Sequence, residues 1–247
     1  MKQAGWYILL VISLASASAV SYLLQIRIFN RTEDTFFYML QDIAFVPIQV
    51  LLVTLILNQL LSSRERRALM KKMNMLIGTF HIEVGAELIR LCSAFAGDLA
   101  EVRTRLSVTP IWTYQEFQAA AAFAKSTDLR IDSRAADLNS LKELLETKRQ
   151  FLLSLLANPN LLEHDSFTDL LWAVFHLAEE LSARKSLEGL PRVDYDHLSG
   201  DIKRAYSQLL AEWLFYMRHL KEDYPYLFSL AVRTNPLDPH ADPVVRE

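Results

Sequence analysis

From Trp6 to Ile26 the chain reads WYILLVISLASASAVSYLLQI, 21 positions without a charge. A helix of that length covers roughly 31 Å, the thickness of the hydrocarbon core of a bilayer. A second uncharged run of 19 positions, Ile43 to Leu61, has an aromatic lead-in at Phe36, Phe37 and Tyr38 that suits a membrane interface. The pattern predicts two spanning helices, about 6–26 and 37–61, joined through the hydrophilic stretch Arg27 to Thr35 as an antiparallel hairpin. Lys2 and the small residues Ala15 to Ala19 also fit a cleavable signal, but apolar character resumes at Val20 and carries the segment to spanning length.

Beyond Leu61 the pattern changes from continuous to periodic. Leu69, Met73, Leu76, Phe80, Val84, Leu88, Leu91, Phe95, Leu99, Val102 and Leu106 recur every three or four residues, the signature of one long amphipathic helix that Ser107 to Pro110 ends. Gly78 and Gly85 inside it each cost about 1 kcal/mol relative to Ala, so close packing against another helix is expected there. Thr113 to Glu116 reads as a capping box opening the next helix. Further helices are predicted from Asp132 or Ser133 to Asn158, from Ser166, and from about Asp196 to Pro225, with a short restart through Val232. The fold class is therefore all-α: an N-terminal transmembrane helical hairpin, 1–61, then a cytoplasmic helical bundle, 62–234, and a loose tail, 235–247.

Charge sets the orientation. Arg64, Arg66, Arg67, Lys71 and Lys72 follow the second span, whereas the hairpin loop holds Arg27 and Arg31. The excess of basic residues places both termini in the cytoplasm, in a multi-pass protein of the inner (plasma) membrane. The same five residues are candidate ligands for lipid head groups, at about 1 kcal/mol each near an anionic surface. Across 247 residues, 26 basic side chains against 29 acidic give a net charge of -3, which excludes an electrostatic nucleic-acid binder. The single cysteine, Cys92, excludes an intramolecular disulfide and a cysteine-based zinc site.

Candidate chemistry is sparse. In the hairpin, Ser13, Ala17, Ser21 and Gln25 recur every four residues as a small, polar contact stripe. On the second span Asp42, Gln49, Thr54 and Asn58 are the intramembrane polar candidates, with Pro47 able to kink the helix between them. In the bundle no phosphate loop, HExxH or EF-hand pattern occurs, and Ser182-x-x-Lys185 lacks the companions of a serine acyl-enzyme. A di-iron bundle needs Glu-x-x-His, but only the inverted His176-x-x-Glu179 occurs, with Glu83 and Glu87 on the first helix. It reads as surface ion pairing. At about 100° per residue, Glu87 and Asp98 fall inside the apolar stripe of the long helix, with Arg90 the nearest cation to Glu87. Either the helix is rotated so that both acids face water, with Glu87 paired to Arg90, or these three are candidates for a partner-recognition seam.

Two stretches, RRALMKKMNMLIGTFHIEVG (Arg66 to Gly85) and YPYLFSLAVRTNP (Tyr224 to Pro236), resemble recurring segments of a family of bacterial two-span membrane proteins with a helical cytoplasmic domain. The resemblance implies a bacterial inner-membrane setting and brings no catalytic residue or cofactor. The function expected is that of a membrane-anchored, non-enzymatic protein whose helical domain binds a protein partner or forms a homo-oligomer. The alternative is a subunit of a small oligomeric channel or transporter.

Overall fold

The computed structural model describes residues 2–161 and 164–245, and the side chains of residues 2–8, 67 and 68 lie outside that description. The described residues form an all-α structure whose only β pairing is the isolated antiparallel bridge Ala96 to Ile131. The chain divides into two compact units, residues 1–66 and 67–247.

The first unit holds α1 (Lys2–Phe29) and the larger part of α2 (Thr32–Phe80). Their connection is only Asn30 and Arg31, shorter than the Arg27 to Thr35 loop that polarity predicts, because both helices wind on through the polar residues. Asn30 ends α1 by entering the left-handed region at φ 51°, a conformation that asparagine tolerates better than most side chains. Its N–H still donates to the Ile26 carbonyl at 3.0 Å, and Thr35 N–H donates to the Arg31 carbonyl at 3.2 Å. Pro47 lies inside α2 without ending it. Along α1 and the part of α2 in this unit most of the described large apolar side chains face outward, Leu23 at 66% exposure and Leu55 at 57% among them. The expected contact stripe is not formed: Ser13, Ala17 and Ser21 are exposed, and Gln25 alone is half-buried. The two serine hydroxyls turn back onto their own helix, to the carbonyls of Leu10 and Ala17.

In the second unit the C-terminal part of α2 passes into a π-helical turn, His81–Gly85, and then into α3 (Ala86–Ala94). The long helix therefore ends at Ala94 rather than at Ser107. Phe95 to Leu99 turn away and are held by hydrogen bonds from Gly97 N–H to the Arg130 carbonyl and from Asp132 N–H to the Phe95 carbonyl. The short α4 (Ala100–Arg105) follows. The capping box forms as expected, Thr113 Oγ1 accepting from Glu116 N–H and Glu116 accepting from Thr113 N–H, and opens α5 (Tyr114–Ser126). The third predicted helix begins later, at α6 (Leu138–Thr147), because Asp137 is the residue whose carboxylate caps Asn139 and Ser140. It is interrupted at Lys148 before α7 (Arg149–Leu156). His164 rather than Ser166 caps α8 (Asp165–Ala183), its Nδ1 accepting from Phe167 N–H at 3.2 Å.

The organising element is α9 (Arg192–Asp223), which begins after Pro191 and packs chiefly against α5 and α8. Six successive residues, Leu209 to Leu214, are all buried, so this part of α9 is surrounded and not merely amphipathic. After Tyr224 the chain restarts as α10 (Pro225–Arg233). α10 is half-docked: Phe228 is buried while Tyr226, Leu227 and Leu230 are exposed. Asn235 and Leu237 are buried as well, so the segment expected to be a loose tail begins with residues that pack into the domain.

The two glycines of the long helix have a visible reason. A Cβ on Gly78 would lie 3.3 Å from the Tyr216 ring, and one on Gly85 would lie 2.7 Å from His81 Nδ1. Gly85→Ala is therefore expected to destabilise by about 1–3 kcal/mol through overpacking. Gly200, exposed in α9, is the opposite case, because a methyl group there would meet nothing within 4 Å. Gly200→Ala should stabilise by about 1 kcal/mol through helix propensity alone. Thermal unfolding of the detergent-solubilised chain by circular dichroism distinguishes the two signs.

Candidate functional site

In the hairpin, Asp42 on α2 accepts a hydrogen bond of 2.9 Å from the Tyr22 hydroxyl on α1, so the one acid placed inside the apolar stretch has a partner on the neighbouring helix. Gln49, Thr54 and Asn58 are exposed and make no side-chain hydrogen bond among the described residues. Arg64, Arg66, Lys71 and Lys72 are exposed on α2 and form no ion pair among the described residues. The side chain of Arg67 lies outside the described residues.

The π turn overturns the apolar-stripe reading of Glu87 and Asp98. A turn with i→i+5 bonding advances less than 100° per residue. The buried face consequently follows a spacing of four through Phe80, Val84, Leu88 and Cys92, with Ile89 beside it. Glu87 swings out to solvent and pairs with Arg90 at 2.8 Å, the cation three residues on. Asp98 lies beyond the end of α3, exposed, and accepts from Ala100 N–H at 2.8 Å. The other acids of the di-iron reading are also occupied at the surface, Glu83 with Lys148 at 2.9 Å and Glu179 with Arg149 at 2.7 Å. Ser182 donates to Glu146 at 3.0 Å, and Cys92 is buried, which pushes its thiol up to about 12. Neither is a poised nucleophile.

What the structure assembles instead is polar chemistry on and beside α9. Glu212 is 2% exposed inside the buried stretch Leu209 to Leu214, and its Oε1 has no hydrogen-bond partner. Burial pushes its carboxyl above the usual range, opposed by the Ser166 hydroxyl and by His164 and Lys125. It borders a cleft of about 410 Å³ together with Asn74, His164, Ser166, Tyr216 and His219. His219 in turn lies 3.2 Å from Asn74 and 2.9 Å from Asp223. Such a site can accept a hydrogen-bond-donating or cationic group at a single buried carboxyl.

Between α8 and α9 runs a second polar arrangement. His176 and Glu180 are four apart on α8 and Arg184, four further on, is its C-terminal cap, while Asp194, His197, Asp201 and Arg204 are spaced three or four apart on α9. Arg184 spans the two helices, 2.8 Å from Glu180 and 2.6 Å from Asp194, and holds both carboxyls below the usual carboxylate range. One ligand atom from each of His176, Glu180, His197 and Asp201 lies within 4.8 Å of the others. Sequence reasoning pairs His176 with Glu179 and misses this set. The signal is the four-residue spacing, which places a histidine and an acid on one helix face twice over, in H-x-x-x-E and H-x-x-x-D.

The apolar hairpin and the helical domain built on α9 define an all-α protein with N-terminal and C-terminal helical parts. The chain belongs to the MJ1433 family: residues 2–61 match the description MJ1433, N-terminal helical domain, and residues 69–233 match Uncharacterized protein MJ1433, C-terminal helical domain. It is 42% identical over 238 residues to Uncharacterized protein MJ1433 of Methanocaldococcus jannaschii, covering 96% of each chain. That relative is archaeal, so the bacterial setting implied by the two resembling segments is not supported. No solved structure matches the chain.

His81 gives the site region a pH response. It is buried in the π turn, stacked on Tyr216 with ring centroids 4.8 Å apart, and neither ring nitrogen has a hydrogen-bond partner. Burial lowers it from 6.5 to about 3, against a weaker opposing influence of the Glu212 main chain. Unfolding therefore takes up a proton between those values, and the stability contributed by neutral His81 is complete above about pH 6.5 and declines as pH falls towards 3. His81→Phe, which removes the titration and leaves no orphaned nitrogen, should lose less melting temperature than the wild type between pH 7 and pH 5. Glu212 titrates in both proteins and drops out of the difference.

Proposed function

We propose that this is a membrane-anchored, non-enzymatic protein: residues 1–61 span the membrane as a hairpin, and the helical domain binds a protein partner or a second copy on the cytoplasmic side. The observation that carries the reading is the outward-facing apolar surface of α1 and of α2 up to Leu61, where most of the described Leu, Ile, Val and Phe side chains stand about half to two-thirds exposed. Lipid is the solvent that makes such a surface favourable. The exposed Arg64, Arg66, Lys71 and Lys72 just beyond it suit anionic head groups. On the domain, the exposed Glu87–Arg90 pair and Asp98 are the charged candidates for a partner surface. Ile82, Leu227 and Leu230 line an apolar groove of about 260 Å³ that supplies a non-polar complement.

A second reading, a small oligomeric channel or transporter, is favoured by one observation: Gln49, Thr54 and Asn58 carry polar groups on the exposed surface of α2 without side-chain partners among the described residues. In lipid such groups seek partners on other helices or line a water-filled path. Replacing all three by leucine discriminates the readings. An anchor keeps its membrane yield and its oligomeric state, whereas a conducting assembly dissociates.

Topology is checked with a membrane-impermeant maleimide. In intact cells Asn30→Cys should be labelled and His240→Cys should react only after lysis; Cys92, being buried, does not compete. Labelling of position 240 from outside contradicts the orientation.

A further inference from the structure

We propose that His176, Glu180, His197 and Asp201 form a four-ligand site for a divalent transition-metal ion, zinc by its donor set, that fastens α8 to α9. The donors come in two matched pairs. His176 and Glu180 are one turn apart on α8, and His197 and Asp201 are one turn apart on α9, so both pairs face the same interhelical space.

The spacing of the donor atoms is that of a coordination shell. His197 Nε2 lies 3.3 Å from Asp201 Oδ2 and 3.6 Å from Glu180 Oε2, while His176 Nε2 lies 3.5 Å from Asp201 Oδ2 and 3.9 Å from Glu180 Oε1. A tetrahedral ion with bonds of about 2.0–2.1 Å holds its donors about 3.3–3.4 Å apart. The four histidine-to-carboxylate separations stand near that value and the whole set lies within 4.8 Å, so side-chain rotations close the four groups on an ion.

The independent sign is Asp201. Its residue is 3% exposed, yet Oδ2 has no hydrogen-bond partner, and that orphaned oxygen points between the two imidazoles. A buried carboxylate oxygen without a donor is costly unless a cation meets it. Its other oxygen, Oδ1, is held by Arg204 at 3.1 Å, and Glu180 is held by Arg184 at 2.8 Å. Each acid is thus oriented from outside by a guanidinium, the outer-shell arrangement that supports metal ligands. Two imidazoles and two carboxylates suit zinc better than magnesium or calcium, which prefer all-oxygen sets, and no thiolate is present to select a softer ion. Four protein donors fill a tetrahedron, so the ion is structural: it joins two helices and leaves no open position for substrate. This agrees with a non-enzymatic domain but does not depend on the membrane reading.

The test uses the full chain in detergent, freed of any affinity tag, stripped with chelator and dialysed against zinc. One zinc per chain is expected, with a higher melting temperature than the stripped protein. Cobalt in its place should give the visible absorption of a tetrahedral ion. The double variant His176→Ala, His197→Ala should lose retained zinc, its affinity falling by more than about 100-fold. Both histidine side chains are about half exposed, 46% and 51%, so their removal does not open the core. Asp201→Asn, which keeps the buried shape, should weaken binding comparably, while Glu179→Ala, one residue from the site and paired with Arg149, should bind as the wild type does. Zinc retention by the wild type no greater than by the double variant overturns the proposal and leaves the cluster an ion-pair network of imidazolium and carboxylate. Equal loss in Glu179→Ala overturns it as well, because binding is then diffuse surface charge.

Discussion

Six successive side chains of α9, Leu209 to Leu214, are withheld from water, and no single partner helix can do that. An amphipathic helix needs one neighbour; a helix buried on every side needs several, and α5, α8, α10 and the π turn are placed around α9 accordingly. Close approach is part of the same constraint. The π turn comes near enough to α9 for the His81 ring to stack on Tyr216, and Gly78 and Gly85 are the residues that leave room for it. A large side chain at either glycine, or a standard helical turn in place of the π turn, moves the whole face that α2 and α3 offer to α9.

The chain uses the same residue types in two opposite arrangements. In residues 9–66 most leucine, isoleucine and valine side chains face outward, whereas in residues 67–247 most of those described are buried in the core around α9. Apolar area is stabilised wherever it leaves water, by roughly 25 cal/mol per Å², so the outward arrangement is favourable only in lipid. Polar groups follow the same accounting in reverse. Asp42 is answered by Tyr22 in the hairpin. Among the buried side-chain atoms of α9 that lack a hydrogen-bond partner, two belong to carboxyls, Glu212 at the 410 Å³ cleft and Asp201 between the histidines, and a buried carboxyl left incomplete is a place for ligand chemistry.

Much of this is legible in the sequence, and the failures share a physical cause. Continuous against periodic hydrophobicity distinguishes the hairpin from the bundle, and the Thr113–Glu116 capping box appears in the structure where the spacing puts it. The glycines of the long helix are packing sites, as their cost in a helix interior implies. The face of that helix is not legible, because a π turn changes the advance per residue and has no marker in the pattern; a uniform 100° advance puts Glu87 and Asp98 into the core. The small-residue stripe at Ser13, Ala17 and Ser21 fails because an isolated hairpin leaves serine hydroxyls to their own backbone. The His176, Glu180, His197 and Asp201 cluster is within reach of sequence reasoning at a spacing of four. Its assembly depends on α8 and α9 lying side by side, which no local pattern states.

Hydrogen exchange of the full chain in lipid nanodiscs, followed by mass spectrometry, tests the central claim most directly. That claim is that one chain turns its apolar surface out to lipid in the hairpin and in towards α9 in the domain. The account predicts slow exchange in three places, residues 9–29, 43–61 and 209–217, with α4 (Ala100–Arg105) exchanging much faster. Rapid exchange of the two hairpin segments in lipid, or of 209–217 at the rate of α4, would contradict it.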